Sequence, residues 1–195
     1  MDFEREIFDF KPSNNQEIND KKVIVKFIQQ FRDDVLLRNN EIAHITSSGF
    51  IMNPELNKAL LIHHNIRNTW AWTGGHADGD SDLLRVAIKE AEEETGVSII
   101  SPLHEEIVSI DILPVFGHEK KGSYVSAHLH LSVAYILVCD EFQSIKIKPD
   151  ENTGVAWFET DKFTNENFTP SDVYLYGKLI KRACEHMSQT LNMRR

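Results

Sequence analysis

The chain has 195 residues, 41% hydrophobic and 26% charged, which is the balance of an ordinary globular domain with a substantial core. Its 30 Asp and Glu outnumber its 21 Lys and Arg, and the formal net charge of −9 with no long basic stretch argues against a general nucleic-acid-binding surface. No apolar run approaches the roughly 18 residues of a membrane span, so no membrane partner is expected.

The opening Met1-Asp2-Phe3-Glu4-Arg5-Glu6 is acidic and lacks the basic and apolar segments of a signal peptide. Lys11 to Asp20, with Pro12, Ser13 and two Asn, reads as a loop. From Asp20 to about Arg38, Ile24, Phe27, Ile28, Phe31 and Val35 recur at helical spacing, and Asn39-Asn40 stops the helix. Residues 1–41 are therefore expected to form a helical extension and 42–195 the main domain. Strands are expected over Ala43–Met52 and Ala59–His63, with a turn at Asn53-Pro54 between them. A loop through Asn65 and Arg67 leads to Trp70-Ala71-Trp72. Further strands are expected near Leu103–Leu113, Ser126–Cys139 and Thr153–Glu159, and a last helix over Pro170–Leu191. Cys139 and Cys184 have no zinc-site spacing. They are expected as reduced thiols, Cys139 buried in its strand, and the expected location is the cytoplasm.

Residues 74–97 carry the most chemistry. Gly74 and Gly75 let the backbone turn tightly and approach a ligand closely. An acidic amphipathic helix follows, with Asp80 or Ser81 as its N-cap and Gly96 at its left-handed C-terminal cap. Leu84, Ala87, Ile88 and Ala91 form its buried stripe. Glu90, Glu93 and Glu94 fall within an arc of about 100° and one turn of height. Carboxylates packed so closely repel one another unless a cation sits among them, and oxygen donors suit Mg²⁺ or Mn²⁺ better than softer metals.

This stretch resembles the signature of the Nudix hydrolases (MutT-like), G-x5-E-x7-R-E-U-x-E-E-x-G-U with U a bulky aliphatic residue. Started at Gly75, the pattern is matched by Glu90, Glu93, Glu94, Gly96 and Val97, and Ala91 fills its first U position. Two positions depart: Ser81 stands at the early Glu and Lys89 at the Arg. Lys is a flexible point charge and lacks the two-pronged grip of Arg, although Lys89 can pair with Glu93 four residues on. Asp80 and Asp82 are neighbours that could cover for the missing Glu.

The resemblance implies an α/β fold, a Nudix-type α/β/α sandwich around a mixed sheet, here with an extra N-terminal helix. It also implies an enzyme, a pyrophosphohydrolase that uses Mg²⁺ or Mn²⁺ to cleave a phosphoanhydride bond. The expected substrate is a nucleoside diphosphate linked to another moiety, with a nucleoside triphosphate next. Gly74 through its carbonyl, Glu90, Glu93 and Glu94 would hold the metal. Glu93 or Glu151 would be the catalytic base, Glu151 because several Nudix enzymes place a loop glutamate just before a Trp-containing strand such as that of Trp157. Asp150 is its rival.

Among the remaining residues, His128 and His130 alternate on one face of a strand. Such a pair can bind zinc or phosphate. With no Cys or third His at ligand spacing, they are assigned to the substrate side together with His76, and Trp72, like Trp70 and Phe116, could stack on a base. Two other readings remain open. One is a non-catalytic nucleotide-binding or regulatory module, favoured by Ser81 and Lys89. The other is an isoprenoid diphosphate isomerase, which needs a catalytic Cys that Cys139 fits poorly. A homodimer is the expected assembly, since closed twofold pairs are the commonest.

Overall fold

The structure is a computed structural model and describes residues 3–120 and 122–193. Helix α1 spans Phe3–Asp9, α2 Asn15–Phe31, and a 3-10 turn Arg32–Leu36. Strands β1 Ala43–Met52, β2 Lys58–His64, β3 Thr69–Ala71 and β4 Thr73–His76 precede helix α3, Leu83–Thr95. Then come β5 Ser101–Pro102, β6 Ser109–Val115, β7 His118–Lys120, β8 Ser123–Val125, β9 His128–Val138 and β10 Asn152–Glu159, and finally helix α4, Pro170–Met193. The hydrogen-bonded order is β10-β2-β1-β9-β5, with β3 on β2, β4 on β1 and β6 on β9, while β7 and β8 pair with each other. An α/β fold with a mixed sheet and flanking helices is what the sequence led us to expect.

Two compact units make up the chain, neither of them one continuous stretch. The first comprises Met1–Ser48, Gly74–Glu90 and Glu105–Tyr135. Its helix α2 starts five residues before the expected Asp20, inside the stretch read as loop. The cause is local: the Asn14 side chain accepts the Glu17 N–H at 2.9 Å, and Glu17 reaches back to accept the Ser13 N–H at 3.0 Å. The Asn14 cap satisfies one donor that a helix start otherwise leaves orphaned, and the return bond holds the Ser13 N–H just before it. The helix also ends early, at Phe31, because Arg32 turns to φ 48°.

Ile24, Ile28 and Val35 are buried as their spacing predicts. Strand β6 runs antiparallel to β9, with Asp111 opposite Ser132, Leu113 opposite His130 and Val115 opposite His128. Polar contacts fix α2 to β6: Gln16 donates to the Ile110 carbonyl at 3.2 Å, and Asp20 accepts the Ile112 N–H at 3.0 Å. These contacts occupy edge groups that would otherwise invite pairing with another chain. Glu17 is fully buried and accepts from the Ser109 hydroxyl at 3.5 Å. The buried Tyr135 hydroxyl donates to Glu6 at 3.0 Å and so holds α1. Burial first, and then the Glu6 carboxylate, raise the Tyr135 pKa.

The second unit comprises Gly49–Thr73, Ala91–His104 and Ile136–Arg195. Strand β10 pairs antiparallel with β2 from Val155 opposite Ile62 to Glu159 opposite Lys58. Its core is aromatic. Tyr176 of α4 is fully buried and stacked on Phe50 at 5.6 Å, and Phe163 meets it edge-on at the same distance. The Tyr176 hydroxyl accepts the Trp72 N–H at 3.2 Å. Thr169 caps α4 by accepting the Asp172 N–H at 3.2 Å, and the Asp172 carboxylate pairs with Arg67 at 3.1 Å.

Three expectations need correction. Of the strand expected over Leu103–Leu113, only Ser109–Leu113 is strand, within β6; residues 103–106 form a bend, and the two-residue β5 precedes it. The β7–β8 hairpin was not foreseen, because its three-residue strands are too short to show a period. Strand β9 ends at Val138, so Cys139 lies one residue beyond it, though still buried. There burial, and secondarily Asp140, push the Cys139 thiol up to about 11, while Cys184 is exposed. Since the thiolate is the reactive form, an aromatic disulfide reagent at pH 8 should release one equivalent of chromophore from the folded chain and two after denaturation; two fast equivalents from the folded chain would contradict the placement of Cys139.

Candidate active site

Helix α3 is the element on which the carboxylates are mounted. Its N-cap is Asp82, whose side chain accepts the Arg85 N–H at 3.0 Å, and neither Asp80 nor Ser81 as the sequence suggested. Asp80 supports the same turn, accepting the Asp82 N–H at 2.9 Å and pairing with Arg85 at 2.7 Å. Ser81 is exposed just outside the helix and Lys89 is exposed on it. Gly96 takes φ 76° and closes the helix by donating its N–H to the Glu92 carbonyl at 2.9 Å, the left-handed cap expected of it. Leu84, Ala87 and Ala91 are buried with Leu83 and Val86, whereas Ile88 is only half-buried.

Two glycines shape the turn before the helix. At Gly75 an added Cβ would lie 2.5 Å from the Glu90 Cδ and 2.7 Å from its Oε1. At Gly74 it would lie 2.6 Å from the Ser48 Oγ and 2.8 Å from the Ser47 carbonyl oxygen. Only glycine allows such approaches without displacement. The Gly75 backbone therefore lies directly against the Glu90 carboxylate.

One turn after Glu90 on the same unbroken helix is Glu94, 3% exposed. Its backbone carbonyl accepts from Asn152 Nδ2 at 2.9 Å, and Asn152, fully buried, also accepts the Lys148 N–H at 3.3 Å. Asn152 thereby ties the loop before β10 to the end of α3. That loop carries Glu151, whose carbonyl accepts the Asn65 N–H at 2.9 Å. Glu94 and Glu151, both in the second unit, can each offer an oxygen within 4.8 Å of the other. Asp150, the rival to Glu151, is exposed.

Glu93, expected among the metal ligands, is not grouped with Glu94 and Glu151. Its carboxylate faces Lys148, whose ammonium lies 3.0 Å from Glu93 and 3.2 Å from Glu151. Burial works against the Lys148 charge, but the hydrogen bonds of Glu93 and Glu151 outweigh it and raise the Lys148 pKa. Neither Lys148 nor Asn152 was legible as a site residue, since a loop Lys and a buried strand Asn carry no pattern of their own.

The expected substrate residues are distributed differently. Trp72 is 7% exposed, edge-on to Tyr176 at 6.0 Å, so it is a core residue and cannot stack on a base. Trp70 packs edge-on against Phe158 at 4.9 Å, and Phe116 is 82% exposed. His76, His128 and His130 do come together, and a fourth histidine joins them: His44 of β1, 4% exposed, with ring centroids 4.9 Å from both His76 and His128. The sequence offered no third ligand at short spacing because the four rings come from β1, β4 and β9. Burial, and then the neighbouring His76, His44 and His128, bring the His130 pKa down to about 3. The buried His44 ring is likewise shifted down, by its own burial first.

The comparisons with known proteins agree with this architecture. The sequence model of the NUDIX domain matches residues 43–179. The uncharacterized Nudix hydrolase YvcI of Bacillus subtilis is 22% identical over 124 residues, covering 64% of this chain and 72% of that protein. In structure, a NUDIX-family hydrolase from Clostridium perfringens aligns with TM-score 0.51 at 18% identity, covering 71% of this chain and 96% of its own. An Ap4A hydrolase of C. elegans, solved as a binary complex, aligns with TM-score 0.52 at 16% identity, covering 72% and 98%. At these identities the two structures speak to the fold alone. The signature helix, the sheet order around it and the match over residues 43–179 together place the chain in the NUDIX domain family, as a Nudix pyrophosphohydrolase.

Proposed function

We propose that the chain hydrolyses a phosphoanhydride bond with the help of Mg²⁺ or Mn²⁺. Its substrate on this reading is a nucleoside diphosphate linked to another moiety, with a nucleoside triphosphate next. The observation that carries the reading is the approach of the Glu94 and Glu151 carboxylates, with Glu90 one turn before Glu94 on the same helix and packed against the side-chain-free Gly75. All three donors are carboxylate oxygens, the set a hard divalent cation prefers and softer metals do not. Glu90, Glu94 and Glu151, with the Gly74 carbonyl, would hold the ion. A cation bound there supplies neutralisation of the diphosphate and acidification of water.

The chain's own residues do the rest. Asn152 fixes the spacing between α3 and the Glu151 loop. Lys148 orients Glu93 and Glu151 and brings positive charge beside the anionic substrate. Glu93, outside the trio and partly exposed, is the base that accepts the proton of the attacking water; Glu151 takes that role only if the trio does not hold the ion. The reaction needs a nucleotide to enter the site but no membrane, and no helix among the described residues is long and apolar enough to cross one. The cytoplasm is the proposed location and a homodimer the proposed assembly.

Glu94→Gln keeps shape and volume, so it should leave the thermal transition within a few degrees of the parent and lower kcat on the order of 10²–10³-fold, the loss typical of removing one preorganised charge-stabilising group. Chelator should abolish turnover of the parent, and Mg²⁺ or Mn²⁺ should restore it. Parental activity in Glu94→Gln, or turnover indifferent to chelator, would exclude this metal site.

The reading as a binding module rests on Ser81 and Lys89. Both are exposed, and the helix start beside Ser81 is already braced by Asp80, Asp82 and Arg85. The pair Ser81→Glu with Lys89→Arg should therefore change kcat/KM by less than about tenfold, about 1.4 kcal/mol in transition-state stabilisation. A much larger gain would identify a decayed site whose present role is to bind nucleotide.

A further inference from the structure

The four-histidine cluster lies wholly in the first unit and is used by nothing described so far. His44 belongs to β1, His76 ends β4, and His128 and His130 stand two residues apart on one face of β9. One ring nitrogen from each can be chosen so that all four lie within 4.8 Å of one another. The His130 centroid is 4.9 Å from that of His76, 5.2 Å from His128 and 5.4 Å from His44.

The nitrogens are also oriented. His44 Nδ1 lies 3.0 Å from the Asn40 carbonyl oxygen and His128 Nδ1 lies 2.8 Å from that of Ser126. A carbonyl can only accept, so each Nδ1 carries the hydrogen, and the neutral form of each ring keeps its lone pair on Nε2. This is the outer-shell arrangement that fixes a metal-binding imidazole. The Nε2 of His44 is buried with no hydrogen-bond partner, a state that costs free energy unless something occupies it. The Nε2 atoms of His128 and His130 are 3.3 Å apart. Two nitrogens bound to one tetrahedral zinc at about 2.0–2.1 Å each are separated by about 3.3–3.4 Å, so that spacing is already the edge of a zinc tetrahedron.

We propose that His44, His76, His128 and His130 bind one zinc ion as a closed, four-imidazole site. Borderline nitrogen donors select zinc over Mg²⁺, which prefers the oxygens of the carboxylate trio. Four protein ligands leave no open coordination position, so the ion has the role of a staple joining β1, β4 and β9. Because His76 follows Gly74 and Gly75 directly, the staple would also stiffen the strand that delivers the signature turn. The inference is independent of the hydrolase reading, since it rests on none of the glutamates.

The test uses the tag-free full chain, stripped of metal and titrated with Zn²⁺ against a chromophoric chelator, and in parallel with Co²⁺ read by its visible absorption. One equivalent of Zn²⁺ should bind, Co²⁺ should give the intense band of tetrahedral coordination, and zinc should raise the thermal transition. His128→Gln, at a half-buried position that tolerates the change, should weaken binding at least 100-fold, as should His44→Ala if that variant folds. Glu151→Gln should bind zinc as the parent does. Absence of zinc binding, binding unchanged in His128→Gln, or binding lost in Glu151→Gln would each overturn the proposal: the first would mean that the rings are held by N–H···N hydrogen bonds alone, the last that zinc only visits the carboxylates.

Discussion

The approach of the Gly75 backbone to the Glu90 carboxylate constrains everything else at the signature helix. An added Cβ would lie only 2.5 Å from the Glu90 Cδ, so a side chain at this position would have to push the carboxylate aside. Once Glu90 is fixed, helical geometry decides the fate of the other acids. Residues four apart differ by about 40° in direction and those three apart by about 60° in the opposite sense. Glu94 therefore stays close to the direction of Glu90 and meets Glu151, while Glu93 turns toward Lys148. Three glutamates that look equivalent in sequence are divided by phase into two of similar direction and one that stands apart.

That division explains why part of the site was legible and part was not. The glycines, the helix and the acidic residues all lie within one stretch of chain, so spacing alone could bring them together. Glu151 was found only through resemblance, and its partner Lys148 could not be weighed without the loop geometry that Asn152 imposes. Trp72 was misjudged for a related reason: an aromatic beside a glycine-rich turn suggests stacking, yet the Tyr176 hydroxyl draws its backbone N–H into the aromatic core of the second unit. The start of α2 is the opposite case. Its signal, Asn14 followed three residues later by Glu17, was present in sequence but was masked by Pro12, Ser13 and the neighbouring Asn, which read as loop.

The histidines show the limit of spacing arguments most clearly. A motif search along the chain sees His128 and His130 as a pair and His44 and His76 as two separate single residues. Strand pairing makes them neighbours, because the sheet order sets β1 beside both β4 and β9. The buried and unpartnered Nε2 of His44 cannot be inferred from any local pattern. It depends on which strand face turns inward, and that in turn depends on the whole sheet.

If both groups hold metal, their donor chemistries keep them apart. The trio offers charged oxygens, which bind Mg²⁺ weakly enough to exchange and leave room for water and substrate oxygens. The histidine set offers imidazole nitrogens, which bind zinc far better than Mg²⁺ and leave no room for substrate. A chelator strong enough to strip one would strip the other, so loss of turnover on chelation does not by itself assign the loss to the carboxylates. What separates them is the order of return. Mg²⁺ added alone refills only the oxygen site, and any activity it restores belongs to Glu90, Glu94 and Glu151; activity that returns only after zinc precedes Mg²⁺ belongs to the staple that holds the signature turn in place.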